Sequence, residues 1–144
     1  MKTVFIDTDI LLDFYFGRKP FGDYAEQVLV LCENKKLEAF ISLQSIITCY
    51  YFLRKEIGKV KAVEHLQQLL NIVEIIEINK QDILMAFNSN FTEFEEALLH
   101  NAATKTEFTD AIITRNAKDF KNAVVPVMNA GEFMKRYTLL ILGI

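Results

Sequence analysis

The run Val4-Phe5-Ile6 stops at Asp7. Its apolar residues are continuous, not alternating. A strand with one wet face alternates, whereas a strand covered on both faces reads as an unbroken apolar run. Residues 2–7 therefore read as a buried strand of the kind found in parallel sheets. Three carboxylates follow at once, Asp7, Asp9 and Asp13, set among large apolar residues. In parallel α/β sheets, ligands bind beyond the carboxyl ends of the strands. The strand is core, and its end is a candidate site.

The rest of the chain repeats the theme. Apolar patterning predicts further strands at 37–41, 73–78, 110–114 and, more briefly, 124–127. Helices are predicted over 10–16, 24–34, 43–57, 60–70, 80–88, 93–106 and 130–137. Asp23 and Ser42 suit N-caps, Gly58 suits a helix stop, and Thr92 with Glu95 suits a capping box. Asp9 reads as the cap of the first helix and Asp13 as a solvated helix position. Strands alternating with helices imply right-handed crossovers and a parallel sheet covered on both faces.

Composition narrows the function classes. A chain of 144 residues fits one domain, and 51% hydrophobic residues mark a packed globule. No apolar run approaches the ~20 residues of a membrane span. The N-terminus lacks the pattern of a secretory leader. Cys32 and Cys49 have no metal-ligand spacing and do not form a disulfide framework. A reducing cytoplasm is the simplest compartment. The net charge of −3 excludes a protein that coats duplexes with a basic surface. Nucleic-acid contact would need a local patch. Arg54, Lys55, Lys59 and Lys61 offer one, and Arg115, Lys118 and Lys121 another. Tyr50 and Tyr51 offer rings for base stacking, although adjacent helical residues face different ways. The domain is expected over 1–137, with an apolar tail at 138–144 as an edge element or dimer surface.

Two further polar clusters stand near predicted element ends. In Glu-Phe-Glu-Glu-Ala-Leu-Leu-His, residues 93–100, Glu93, Glu96 and His100 share one helix face, and Glu95 points elsewhere. In Thr-Arg-Asn-Ala-Lys-Asp-Phe, residues 114–120, a hydroxyl, an amide and a carboxylate leave the end of a strand. Gathering Asp7, Glu96 and Asp119 would be costly without a cation. Two unit charges ~4 Å apart repel by ~4 kcal/mol at an effective dielectric of ~20. Such oxygen donors suit Mg²⁺ or Mn²⁺, which support phosphodiester hydrolysis.

These motifs, in this order, resemble the PIN domain, a family that includes the VapC-type toxins of bacterial toxin–antitoxin pairs. The resemblance runs from about Lys2 to Lys135. Its most specific pieces are Phe5-Ile6-Asp7-Thr8 and Thr114-Arg115-Asn116 with Asp119-Phe120. It implies a three-layer α/β/α sandwich around a parallel sheet of four to five strands. It also implies a metal-dependent endoribonuclease, an RNA substrate, a protein antitoxin and a homodimer. By position, Asp7, Glu96 and Asp119 match metal acids, Asn116 and Thr114 match the closing element, and Asp9 stands where Asn is common. The second family acid is a Glu in the helix after the second strand, and Thr48 holds that place here. Glu93 or Asp9 would have to compensate.

Two other readings remain open. A PIN-like domain that has lost catalysis would act as an RNA- or protein-binding module. Asp7-Thr8-Asp9 also fits the opening of a haloacid-dehalogenase-like phosphatase. That class needs a late Gly-Asp motif, and the chain's one Gly-Asp pair is the early Gly22-Asp23.

Overall fold

The computed structural model describes residues 2–90, 93–105, 109–120 and 122–143. Thr92 and Lys121 lie outside the described residues, as does the side chain of Asp119. Among the described residues, five strands form one parallel sheet in the order β3-β2-β1-β4-β5. They are β1 Lys2–Ile6, β2 Leu37–Ile41, β3 Glu74–Ile75, β4 Thr109–Ile113 and β5 Val127–Met128. The helices between them are α1 Thr8–Tyr15, α2 Phe21–Glu33, α3 Leu43–Ile57, α4 Lys59–Leu70, α5 Lys80–Phe87, α6 Phe94–Lys105 and α7 Ala130–Leu142.

The unbroken apolar run of β1 is explained by two cores. Val4 and Ile6 pack on one face with Ala25 and Val28 of α2, Leu53 of α3 and Phe133 of α7. Phe5 points the other way and packs with Ile112, Ile76, Ala102 of α6 and Phe120. Helices cover both faces, which gives the expected three-layer sandwich. The chain moves outward from β1 to β2 and β3, then returns to place β4 on the other side of β1. The carboxyl ends of β1 and β4 thus flank the point where the winding direction switches, the place such sheets bind ligands.

Local cues place some elements well. Ser42 caps α3 by accepting from the Ser45 amide at 3.1 Å, and Gly58 ends it with φ 83°. Asn79 and Asn129 each form a reciprocal capping box, with Asp82 and Glu132. Other expectations are corrected. Asp7, not Asp9, caps α1, because β1 ends at Ile6 and the Asp7 carboxylate accepts from the Thr8 amide at 2.9 Å. Asp23 lies inside the first turn of α2, whose N-cap position is Pro20. Asp13 is fully buried, not solvated. The edge strands β3 and β5 are two residues each, since each pairs on one side alone. Residues 138–142, beyond the expected domain end at 137, continue α7, and Leu140, Ile141 and Leu142 are more than half exposed. Among the described residues, no helix is long and apolar enough to cross a membrane.

Candidate metal centre

The site begins with strand register. Ile6 pairs with Ile113, so the next residues, Asp7 and Thr114, emerge side by side. The Asp7 amide donates to the Ile113 carbonyl at 2.9 Å. Thr114 Oγ1 donates to Asp7 Oδ2 at 2.7 Å and accepts from the Asn116 amide at 3.0 Å. Thr114 has no exposed surface, so its hydroxyl is a fixed donor to the carboxylate. A second hydroxyl chain lies beside it, with Thr8 Oγ1 2.7 Å from Ser45 Oγ and Ser45 Oγ 3.3 Å from Ser42 Oγ.

Asp9 sits one helical step away. Its Oδ2 accepts from the Arg115 amide at 3.1 Å and from Asn116 Nδ2 at 3.3 Å. Its Oδ1 is buried and has no hydrogen-bond partner among the described residues. Burial, then the charge of Asp7, pushes the Asp9 carboxyl up to about 6, against the opposing pull of Arg115. A buried carboxylate oxygen without a donor is costly unless a cation meets it.

These groups open onto a cleft of about 580 Å³ whose lining includes Asp7, Asp9, Glu96 and Asn116. The structure therefore brings together four of the expected site residues, with Thr114 hydrogen-bonded to Asp7. The backbone turn carrying Asp119, Ala117–Phe120, also borders the cleft through Phe120. Glu93 is exposed and is not among the lining residues, whereas Glu95 is. Glu93 stands just before α6, which starts at Phe94, while Glu95 lies in its first turn and reaches the cleft edge. Thr48 also lines the cleft, and its Oγ1 accepts from Gln44 Nε2 at 3.1 Å. His100 is buried, not at the surface, and its Nε2 accepts from the Val124 amide at 3.1 Å.

Arg115 differs from its expected role as an RNA contact. Its Nε and Nη2 grip the buried Asp13 carboxylate at 2.7 and 3.0 Å. The members of this pair are 102 positions apart, beyond the reach of any local pattern. Tyr50 packs against the core and Tyr51 is exposed beneath Lys55 Nζ, 4.3 Å from the ring centroid.

The donor set is all oxygen, as Mg²⁺ and Mn²⁺ prefer. Together with the orphaned Asp9 Oδ1, it fits a divalent cation. Among the described residues the acids do not close into a group of three, and the side chain of Asp119, the further acid expected here, lies outside the described residues.

The model of the PIN domain matches residues 3–118. The chain belongs to the PIN domain family. The match decides against the haloacid-dehalogenase-like reading. The chain is 30% identical to Ribonuclease VapC1 of Aquifex aeolicus over 144 residues, 96% of this chain and 98% of that protein. Among solved structures it resembles a toxin–antitoxin complex from Klebsiella pneumoniae, with 25% identity, a TM-score of 0.65, and coverage of 88% of this chain and 97% of that one. It shares its fold with VapBC2 from Rickettsia felis bound to a promoter DNA fragment, at a TM-score of 0.61 and 18% identity over 88% of this chain and 97% of that one. In the PIN frame, the cleft lies where β1 and β4 deliver Asp7 and Thr114.

Proposed function

We propose that this chain is a divalent-metal-dependent endoribonuclease that acts as the toxin of a toxin–antitoxin pair. The single observation that carries the chemistry is the pair Asp7 and Asp9 at a cleft that Glu96 also lines, with a buried Asp9 oxygen left without a donor. The relationship to Ribonuclease VapC1 supports RNA as the substrate, and the Klebsiella complex supports a protein antitoxin.

Asp7, Asp9, Glu96 and Asp119 would hold Mg²⁺ or Mn²⁺. When bound, a divalent cation activates water and neutralises charge developing on the phosphate. Thr114 fixes the rotamer of Asp7 by its hydrogen bond. Asn116 orients Asp9 through its amide and stands at the cleft to meet water or a phosphate oxygen. Glu95 supplies the carboxylate missing at Thr48, since both residues line the cleft. The exposed Arg54, Lys55, Lys59 and Lys61 provide phosphate contacts beyond it, and Tyr51 a stacking surface. The exposed apolar residues Leu43 and Ile47 of α3, and Leu140 to Leu142 of α7, suit contacts with a second copy or an antitoxin. Cys32 and Cys49 are unpaired and buried, and burial pushes both thiols up to about 12, so neither is a reactive thiolate.

A second reading is favoured by one observation, the Thr48 hydroxyl engaged by Gln44 where the family has an acid. It makes the chain an inactive PIN domain that binds RNA or protein. One assay separates the two. Purified protein is tested on a panel of structured RNAs with Mn²⁺, Mg²⁺ or EDTA, beside Asp7→Asn. Metal-dependent cutting that disappears in the variant is expected. No cutting with either metal would transfer the conclusion to the binding module.

A further inference from the structure

Asp13 has no exposed surface and carries a carboxylate into the core. The two Arg115 nitrogens engage its two oxygens as a fork, and Arg18 Nη1 adds a longer contact of 3.4 Å. The Arg115 guanidinium also lies 4.4 Å from the centroid of the Phe21 ring. The head of Arg115 is therefore fixed by α1 on one side and α2 on the other. Its backbone, meanwhile, belongs to the loop after β4, and that backbone amide donates to Asp9 Oδ2. The next residue's side chain donates to the same oxygen. Both donors take Oδ2, which leaves Oδ1 for a cation.

Resting on the metal-centre reading above, we infer that Arg115, clamped by Asp13 and Phe21, is a positioning residue that aims Asp9 at the metal. A buried ion pair is poor evidence of a stabilising role, since apolar replacements often serve stability as well. What such a pair fixes is geometry. The bidentate, ring-stacked arrangement needs the planar guanidinium, which an ammonium does not reproduce. The brace links a buried position of α1 to the loop that selects which Asp9 oxygen stays open.

The test measures Mn²⁺ affinity of RNA-free protein by electron paramagnetic resonance. The variants are Arg115→Lys, Asp13→Asn and Phe21→Leu, with Leu66→Ala as a control for lost stability. Leu66 is a core residue of α4, and no α4 residue lines the cleft. Removing the outer support of a metal ligand weakens affinity by about 10–100-fold. Arg115→Lys and Asp13→Asn are expected in that range, Phe21→Leu shows a smaller loss, and Leu66→Ala keeps wild-type affinity. Folded Arg115→Lys with wild-type affinity overturns the brace. Should both core variants fail to fold, the partly exposed Phe21 decides, and an unchanged affinity in Phe21→Leu overturns it as well. A wild-type protein that binds no Mn²⁺ overturns the metal reading itself, a distinct result.

Discussion

Thr114 Oγ1 and Asp7 Oδ2 stand 2.7 Å apart although 107 positions separate the residues in the chain. The contact joins the two central strands at their carboxyl ends. Thr114→Val keeps the shape but leaves Asp7 Oδ2 without this donor and the Asn116 amide without its acceptor. Loss of a buried partner costs about 1–3 kcal/mol of stability. Cleavage should fall by about 10–100-fold, since the hydroxyl supports a metal acid. Thr114→Ser should restore most of both. Parallel denaturation and RNA-cleavage assays check this, and an active Thr114→Val would refute the supporting role.

Gly22 lets α2 cross α1 closely. A Cβ at this position would lie 2.6 Å from the Asp13 carbonyl oxygen, which is backbone and has little room to move. Gly22→Ala should therefore destabilise the fold by about 1–3 kcal/mol, the usual range for overpacking. Gly131→Ala meets the Tyr24 ring at 3.3 Å and Asn129 Oδ1 at 3.4 Å, both side chains with more room to give, and should cost less. Urea denaturation of the two variants tests the ranking.

The acid missing at Thr48 gives a paired prediction. Glu95→Gln should weaken Mn²⁺ binding by about tenfold. Glu93→Gln, outside the cleft, should leave it unchanged. Thr48→Glu in the Glu95→Gln background should recover affinity, because a carboxylate returns to the same cleft. Calorimetric titration with Mn²⁺ reads all three. Equal effects of Glu93→Gln and Glu95→Gln would remove Glu95 from the site.

His100 sets a pH dependence. Burial lowers its pKa from the ordinary 6.5, offset in part by a hydrogen bond with Asn101. The folded state thus binds this proton less readily than the unfolded one. The stability it contributes is present above pH 6.5 and is lost as pH falls from there through the lowered value. Protonation would also remove the acceptor that Nε2 offers the Val124 amide. His100→Gln should flatten the dependence of the urea midpoint between pH 7.5 and 5.5. An equally steep dependence in the variant would assign the effect to another group.

Legibility in the sequence followed the range of the interactions. β2 and α3 were readable to the residue because a strand pattern, a serine cap and a glycine stop are local signals. The place of Asp7, at the end of β1 and on the cleft, was readable because a strand that ends in an acid announces its own terminus. Asp13 and Arg115 were misread singly, since each is an ordinary surface residue until the other is beside it. Glu93 was misplaced because its expected face holds only if it is helical, and α6 begins one residue later, at Phe94. The lengths of β3 and β5 depended on partners available on one edge only, which no local pattern records.

The two-faced packing of β1 has a consequence for how the molecule breathes. Asp7 follows the strand whose side chains anchor both cores, and its amide is bonded to the neighbouring central strand. The middle of such a sheet exchanges its amide hydrogens chiefly through global opening, while edges and loops open locally. A ligand held at the ends of β1 and β4 would therefore slow exchange at Phe5, Ile6 and Ile112, deep in the sheet. Occupancy of the cleft can thus be followed from the protein's least accessible backbone.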